Sequence, residues 1–243
     1  MQSSVQELSQ KLVSWVINSV TSAGGKGAVF GMSGGIDSAV VAVLCKRAFP
    51  ESVLGIIMPC HSGRVDREHA ELVASKFDIP VKAVALDSVF DSLMKAVPNE
   101  GSSNTKEMAE NNIKPRLRMV TLYYLANRLN YLVVGSSNRS ELAVGYFTKH
   151  GDGGSDLIPL GNLVKRQVRE LAEYLEIPRA IIDKPPSAGL WDGQTDEAEL
   201  GLTYEELDNY LITGKAGVKT KEKIESKVRQ SMHKRCMPPI PQF

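Results

Sequence analysis

The sequence predicts an α/β fold, a doubly wound and mainly parallel sheet flanked by helices. Three observations carry this. Short apolar runs alternate with longer helix-patterned stretches. The runs are apolar throughout, as a parallel sheet covered on both faces requires. The first of them passes directly into GMSGGIDS at 31–38, where a strand must turn into a helix.

The elements follow in order. Val5, Leu8, Leu12, Trp15, Val16 and Ser19 recur at helical spacing, so the first segment reads as an amphipathic helix and not as a signal peptide. Gly24-Gly25 breaks it. Strands are expected at 28–32, 53–58, 81–86 and 131–135, with helices at 36–48, 64–77, 88–96 and 105–130. Pro115 predicts a helix start or a kink within the last of these. A Gly-rich segment at 150–162 leads into a helix at 163–175. A polar, Pro-rich loop follows at 184–199, and helices at 204–211 and 221–234 close the pattern. With no repeat and no linker, residues 1–243 are expected to form a single domain.

Composition narrows the function classes. Of 243 residues, 42% are hydrophobic and 23% charged, with a formal net charge of +1. That balance gives no support to a nucleic-acid or membrane partner. The three cysteines are too few and too scattered for a disulfide framework or a zinc site, so a reducing, cytoplasmic location is expected. No run reaches the ~20 apolar residues of a membrane span.

GMSGGIDS lies at the carboxyl end of a strand, where open parallel sheets bind ligands. Its glycines let backbone N–H groups approach an anion, and the helix dipole favours negative charge there. Ser33 and Ser38 add hydroxyls. Asp37 would repel a phosphate unless a cation such as Mg²⁺ sat between them. The plainer reading is that Ser33 or Asp37 caps the helix while the glycines turn the chain. The stretch fits neither the Walker pattern nor G-x-G-x-x-G. It does match S-G-G-x-D-S, the signature of the ATP pyrophosphatases, which split ATP between its α and β phosphates.

Other residues can be read physically. Glu141 follows the fourth strand and could be a second oxygen ligand, or merely a helix-start acid. Lys165 and Arg166 sit at a helix start, the wrong end for cations; a bound phosphate would relieve this, or both point into water. Asp152 and Asp156 in GDGGSD could bind metal or orient a polar group, or could simply serve surface turns. Arg116, Arg118 and Lys149 offer positive charge to a phosphate-bearing substrate.

The segment GSSNRSELAVGYFTKHGDGGSDLIPLGNLVKRQVREL at 135–171 resembles the ammonia-dependent NAD synthetases. So do NIKPRLRM at 112–119, KPPSAGL at 184–190, DEAELGLTYEELDNYL at 196–211 and HKR at 233–235. The likeness runs from about residue 28 onward. It implies a Rossmann-like fold of the adenine nucleotide alpha hydrolase kind. It also implies a C–N bond-forming ligase that amidates deamido-NAD with ATP and ammonia, through an acyl-adenylate, releasing AMP and pyrophosphate. By resemblance, Gly31, Met32, Ser33, Gly34, Gly35, Ile36, Asp37 and Ser38 hold the ATP phosphates. Ser136, Lys165 and Ser187 also meet ATP, and Asp37 and Glu141 bind Mg²⁺. Arg116, Lys149, Asp156, His233 and Lys234 meet deamido-NAD, while Asp152 lies near a second metal or the ammonia. Asp37, Lys165 and Asp152 form the expected catalytic set.

Three departures stand out. Ile36 replaces a glutamine familiar from bacterial members. Ser136-Ser137-Asn138-Arg139 stands where many read Thr-Asp-His-Ala, and Ser187 where threonine is common. The resemblance further implies a homodimer, for which the Trp15 helix and the 105–130 stretch offer surface. It also implies free ammonia as nitrogen donor, since the synthetase core leaves no room in 243 residues for a glutaminase domain. The alternatives are another ATP pyrophosphatase, of tRNA-modifying or GMP synthetase-like type, or a non-catalytic nucleotide-binding module. Loops at 98–104, 150–156 and 184–199 are lid material.

Overall fold

The computed structural model describes residues 2–98, 103–189 and 193–242. Helix α1 (Gln2–Ser22) precedes strand β1 (Ala28–Gly31), then α2 (Ile36–Ala48), β2 (Val53–Ile57), α3 (Arg64–Lys76) and β3 (Val81–Ala83). Helices α4 (Asp87–Ala96), α5 (Ser103–Asn111) and α6 (Ile113–Leu129) lead to β4 (Leu132–Val133). The remainder is helical: α7 (Arg139–Val144), α8 (Lys165–Tyr174), α9 (Arg179–Ile182), α10 (Asp196–Leu200), α11 (Tyr204–Thr213) and α12 (Val218–Gln230), with a 3₁₀ turn at Met232–Lys234.

All strands pair in parallel, in the order β3-β2-β1-β4. Parallel strands need crossovers, and the helices supply them on both faces. Alternation along β1 and β2 sorts the two cores. Ala28, Phe30, Val53 and Ile57 face α1, α2, α3 and α8. Val29, Leu54 and Ile56 face α4 and α6 through Phe90, Leu122, Leu125 and Ala126. Phe30, Leu44 and Ile56 are essentially solvent-free, and each such burial stabilises the fold by roughly 1.5–3 kcal/mol. A third apolar cluster, Val144, Leu200, Leu202, Leu207 and Ile224, joins α7, α10, α11 and α12.

The order reverses direction between β1 and β4, and such a switch point opens a crevice beyond the strand ends. Several elements differ from the sequence expectation. Strand β3 ends at Ala83 and is exposed along its length, because it lies at the sheet edge with one neighbour. Strand β4 is two residues long, but Val134 bridges to Leu157, which covers its outer edge. The expected helix at 105–130 is two helices meeting at Asn112; Pro115 sits in the first turn of α6, where its missing N–H costs nothing. Helices α7, α9 and α10 were not expected, since each spans only four to six residues. Parts of two expected lid loops, 99–102 and 190–192, lie outside the described residues. No described helix is long and apolar enough to cross a membrane.

Candidate active site

The loop after β1 forms one lip of the crevice. Gly34 has φ +77, and a Cβ there would sit 2.1 Å from the carbonyl oxygen of Asp66 on α3, so only glycine fits. Gly35 is the N-cap of α2 and has no side-chain cap. Ser38 Oγ donates to the Gly35 carbonyl at 2.9 Å and lies 3.0 Å from Ser33 Oγ. The hydroxyls thus brace the loop while the first turn of α2 points at the crevice. Helix geometry leaves first-turn N–H groups without intrahelical partners, and an anion satisfies them.

The loop after β4 forms the other lip. Asn138 caps α7 in a reciprocal box with Glu141, whose backbone N–H reaches Asn138 Oδ1 at 3.0 Å. The Glu141 carboxylate accepts from the Asn138 backbone through Oε2, which leaves Oε1 turned to the crevice. Glu141 is therefore a helix-start acid and a crevice acid at once.

Across the crevice the charges converge. Lys165 Nζ lies 2.6 Å from Asp37 Oδ2 and 3.2 Å from Glu141 Oε1, and Asn138 Nδ2 donates to Asp37 Oδ1 at 2.9 Å. Burial raises the Glu141 carboxyl above the usual carboxylate range, and nearby Asp37 adds to this while Lys165 opposes it. For Lys165, burial works against the charged form, but Asp37 and Glu141 outweigh it and hold the ammonium firmly protonated. The misplaced cations at the start of α8 are resolved without a phosphate. Asp208 of α11 accepts the Arg166 N–H at 2.8 Å and the Ser140 hydroxyl, and Ser140 Oγ accepts the Lys165 N–H at 3.1 Å.

Behind this triad lies a hydroxyl–carboxylate network. Tyr204 OH donates to Asp196 Oδ2 at 2.9 Å, and its ring lies 4.9 Å from Lys165 Nζ. Tyr146 OH reaches Asp196 Oδ1 at 3.1 Å and Glu199 Oε2 at 2.8 Å. Burial raises the Asp196 carboxyl, with Lys165 opposing. The sequence reading missed Asn138, Tyr146, Asp196 and Tyr204. The only signal for Asn138 was its departure from His. Tyr146 lies in GYFTK beside Lys149, and Asp196 and Tyr204 sit in DEAELGLTY, where a helix-start acid is the ordinary expectation.

A cavity of about 410 Å³ joins these walls. Gly31, Met32, Ser33, Gly35, Ile36, Asp37 and Ser38 line it, as do Ser136, Glu141, Asp152, Lys165, Ser187 and Lys234. Asp152 Oδ1 accepts the Thr148 N–H at 2.8 Å; desolvation pushes its carboxyl up, yet the residue as a whole is exposed to solvent. Lys234 Nζ is held by the Gly145 and Phe147 carbonyls, each at 2.8 Å. Arg116, Lys149, Asp156 and His233 are not on the cavity wall. Arg116 reaches the Lys149 carbonyl, and Lys149 Nζ the His233 carbonyl at 2.7 Å. Asp156 Oδ2 accepts the outward N–H of Val133 at 2.8 Å and Oδ1 meets Tyr123 OH at 3.1 Å, so it caps the open edge of β4.

The donor set suits a hard divalent cation. Asp37 and Glu141 present oxygens only and already share one cation, and magnesium commonly takes one or two carboxylates and fills its shell with water and phosphate.

Comparison with known proteins follows this geometry. A family model described as NAD synthase matches residues 8–238. An NH(3)-dependent NAD(+) synthetase of Carboxydothermus hydrogenoformans is 49% identical over 236 residues, covering 97% of each chain. Among solved structures, the NMN synthetase of Francisella tularensis has a TM-score of 0.94 at 38% identity, covering 98% of this chain and 99% of that one. The NH3-dependent NAD synthetase of Campylobacter jejuni has a TM-score of 0.81 at 30% identity, with the same coverages.

Proposed function

This chain belongs to the NAD synthase family, and on that premise we propose that it amidates deamido-NAD to NAD with ATP and ammonia. The observation that carries this reading is the convergence of Asp37, Glu141 and Lys165 beside the first turn of α2.

A carboxylate cannot yield to ammonia directly, because the leaving group would be oxide. In the first step a nicotinate oxygen attacks the α-phosphorus of ATP. The Pα–O–Pβ bond breaks, and pyrophosphate leaves with the electron pair. The first turn of α2 and the Ser33 and Ser38 hydroxyls receive the phosphates, and Lys165 meets their negative charge. Asp37 and Glu141 would hold Mg²⁺, which when bound neutralises phosphate charge. In the second step ammonia attacks the acyl carbon and AMP departs, leaving the amide. Asp152, on the cavity wall with its Oδ1 fixed by the Thr148 N–H, takes the proton that the nitrogen sheds.

Arg116, Lys149, Asp156, His233 and Lys234 are assigned to the dinucleotide substrate. Four of them lie outside the cavity, so this assignment places the dinucleotide across the adjoining surface. A second copy of the chain is placed against α6, where Val120 and Tyr124 are about 60% exposed. We locate the enzyme in the cytoplasm, where the free thiols of Cys45 and Cys60 stay reduced.

A second reading is favoured by the Francisella tularensis neighbour, whose name makes the mononucleotide the product. One experiment separates the two. The protein is given ATP, Mg²⁺ and ammonia with either deamido-NAD or nicotinate mononucleotide, and AMP, pyrophosphate and amide are measured. The proposal expects NAD from the dinucleotide at the higher kcat/KM. A preference for the mononucleotide would establish the second reading, and ADP as product would defeat both. Asp37→Asn should abolish turnover in a folded protein.

A further inference from the structure

Five cationic side chains line the described cavity wall: Arg67, Arg118, Lys165, Lys184 and Lys234. Four have partners that are not shared with the phosphate loop or are already part of the triad. Arg67 pairs with Glu71 along α3, where both side chains are about half exposed. Arg118 donates to the Met58 carbonyl and Ser62 Oγ. Lys234 is held by two carbonyls of the α7 end. Lys165 faces two carboxylates, so with both ionised that triad carries a net negative charge. A triphosphate bound at the start of α2 needs more positive charge than this triad supplies.

Lys184 is placed differently. Its ammonium pairs with Asp66 Oδ1. Asp66 is the residue whose carbonyl touches Gly34, and its other carboxylate oxygen lies 3.2 Å from where a Cβ on Gly189 would be. The phosphate loop, the start of α3 and the 184–189 segment therefore meet at one acid. An acid beside a phosphate site raises the cost of phosphate binding unless a cation lies between them. Asp66 also lies in the first turn of α3, where the helix dipole favours a carboxylate even without a lysine. Both side chains of the pair are 27% exposed, so the lysine can be reached from the crevice and Asp66 keeps access to water when its partner leaves.

We infer that Lys184 is a second phosphate-binding cation of this site, held in readiness by Asp66 and passing to the departing pyrophosphate end of ATP. The inference rests on the ATP reading above. It names the residue that takes the charge appearing as the Pα–O–Pβ bond breaks; its partner Asp66 meets the loop at Gly34, whereas Lys165 meets it at Asp37.

The test is calorimetric titration of inorganic pyrophosphate, with Mg²⁺ present, into the unaltered protein and into Lys184→Met, Lys184→Arg and Asp66→Asn. Lys184→Met should weaken pyrophosphate binding at least ~10-fold, and Lys184→Arg should stay within ~3-fold of the unaltered chain. Asp66→Asn should bind as tightly or more tightly, because it frees the ammonium. Equal affinity in Lys184→Met would overturn the inference and leave the function standing. Equal weakening in Asp66→Asn and Lys184→Met would make the pair a structural strut and overturn it as well. An unaltered chain that takes up no pyrophosphate would defeat the ATP reading and this inference with it.

Discussion

Asn138 and Asp37, 101 residues apart, are joined side chain to side chain at 2.9 Å, which ties the loop after β4 to the start of α2. Asn138 is fully buried; its amide nitrogen serves Asp37, and its one side-chain oxygen accepts the Glu141 N–H in the cap of α7. Asn138→Ala removes both bonds. Loss of an N-cap costs about 1 kcal/mol, and loss of a bond to a charged group about 1.5–3 kcal/mol. Chemical denaturation should show a fall within the sum of these ranges. Asn138→His keeps an N–H donor for Asp37 and should retain most of the activity; a His variant as impaired as the Ala variant would contradict this role.

Removing Lys165 leaves two carboxylates facing each other in a site where all three side chains are at most 16% exposed. Breaking such a buried set by losing one partner costs about 3–5 kcal/mol. Lys165→Met should therefore unfold at lower temperature. It should also gain more thermal stability from added Mg²⁺ than the unaltered protein, because the divalent cation replaces the missing charge. Differential scanning fluorimetry with and without Mg²⁺ checks this, and equal metal-induced shifts would count against a cation site at Asp37 and Glu141.

Gly34→Ala must displace something. Its φ of +77 disfavours an L side chain, and the atom met at 2.1 Å is backbone, which cannot swing aside. The expected cost is about 1–3 kcal/mol together with a raised KM for ATP. The KM for the nicotinate substrate should change less. Parallel loss in both constants would place the damage beyond the phosphate loop.

Stability should depend on pH through Asp196. Burial raises its carboxyl in the folded protein, against about 3.9 when unfolded. The folded state thus binds this proton more tightly. Its contribution is fully present below the unfolded value and is lost as pH rises through the folded one. Asp196→Asn, which cannot titrate, should show a smaller fall in Tm from pH 4 to pH 7 than the unaltered protein. An equal fall in both would assign the pH dependence to other groups.

The phosphate loop was legible because its chemistry is local. Eight consecutive residues hold the turn, the anion donors and the acid. From their own spacing Lys165 and Glu141 were legible only as charges, since 128 and 24 residues of chain separate Lys165 from Asp37 and Glu141. The resemblance put all three in one site, and the direct Lys165 ion pairs are what the fold adds. What relieved the start of α8 could not be read at all. Asp208 lies 42 residues beyond Arg166 in a helix of its own, and nothing in its spacing points back. Asp156 shows the converse. An acid in a Gly-rich loop suggests a ligand, but its spacing gives no sign that it also accepts the outward N–H of edge strand β4, which only the pairing of β4 reveals. The sheet was legible from its apolar runs, but strand ends were not, because β3 and β4 stop where their neighbours stop pairing.

The long reach of these bonds has a consequence for synthesis. A ribosome delivers the chain from its N-terminus, and folding proceeds as segments emerge. When β1 and α2 are complete, Asp37 has neither Asn138 nor Lys165. The acid stands without its amide until the middle third of the chain is made, and without its cation until the last third. A nascent chain of half length therefore holds no formed site that could capture ATP before the remaining helices arrive.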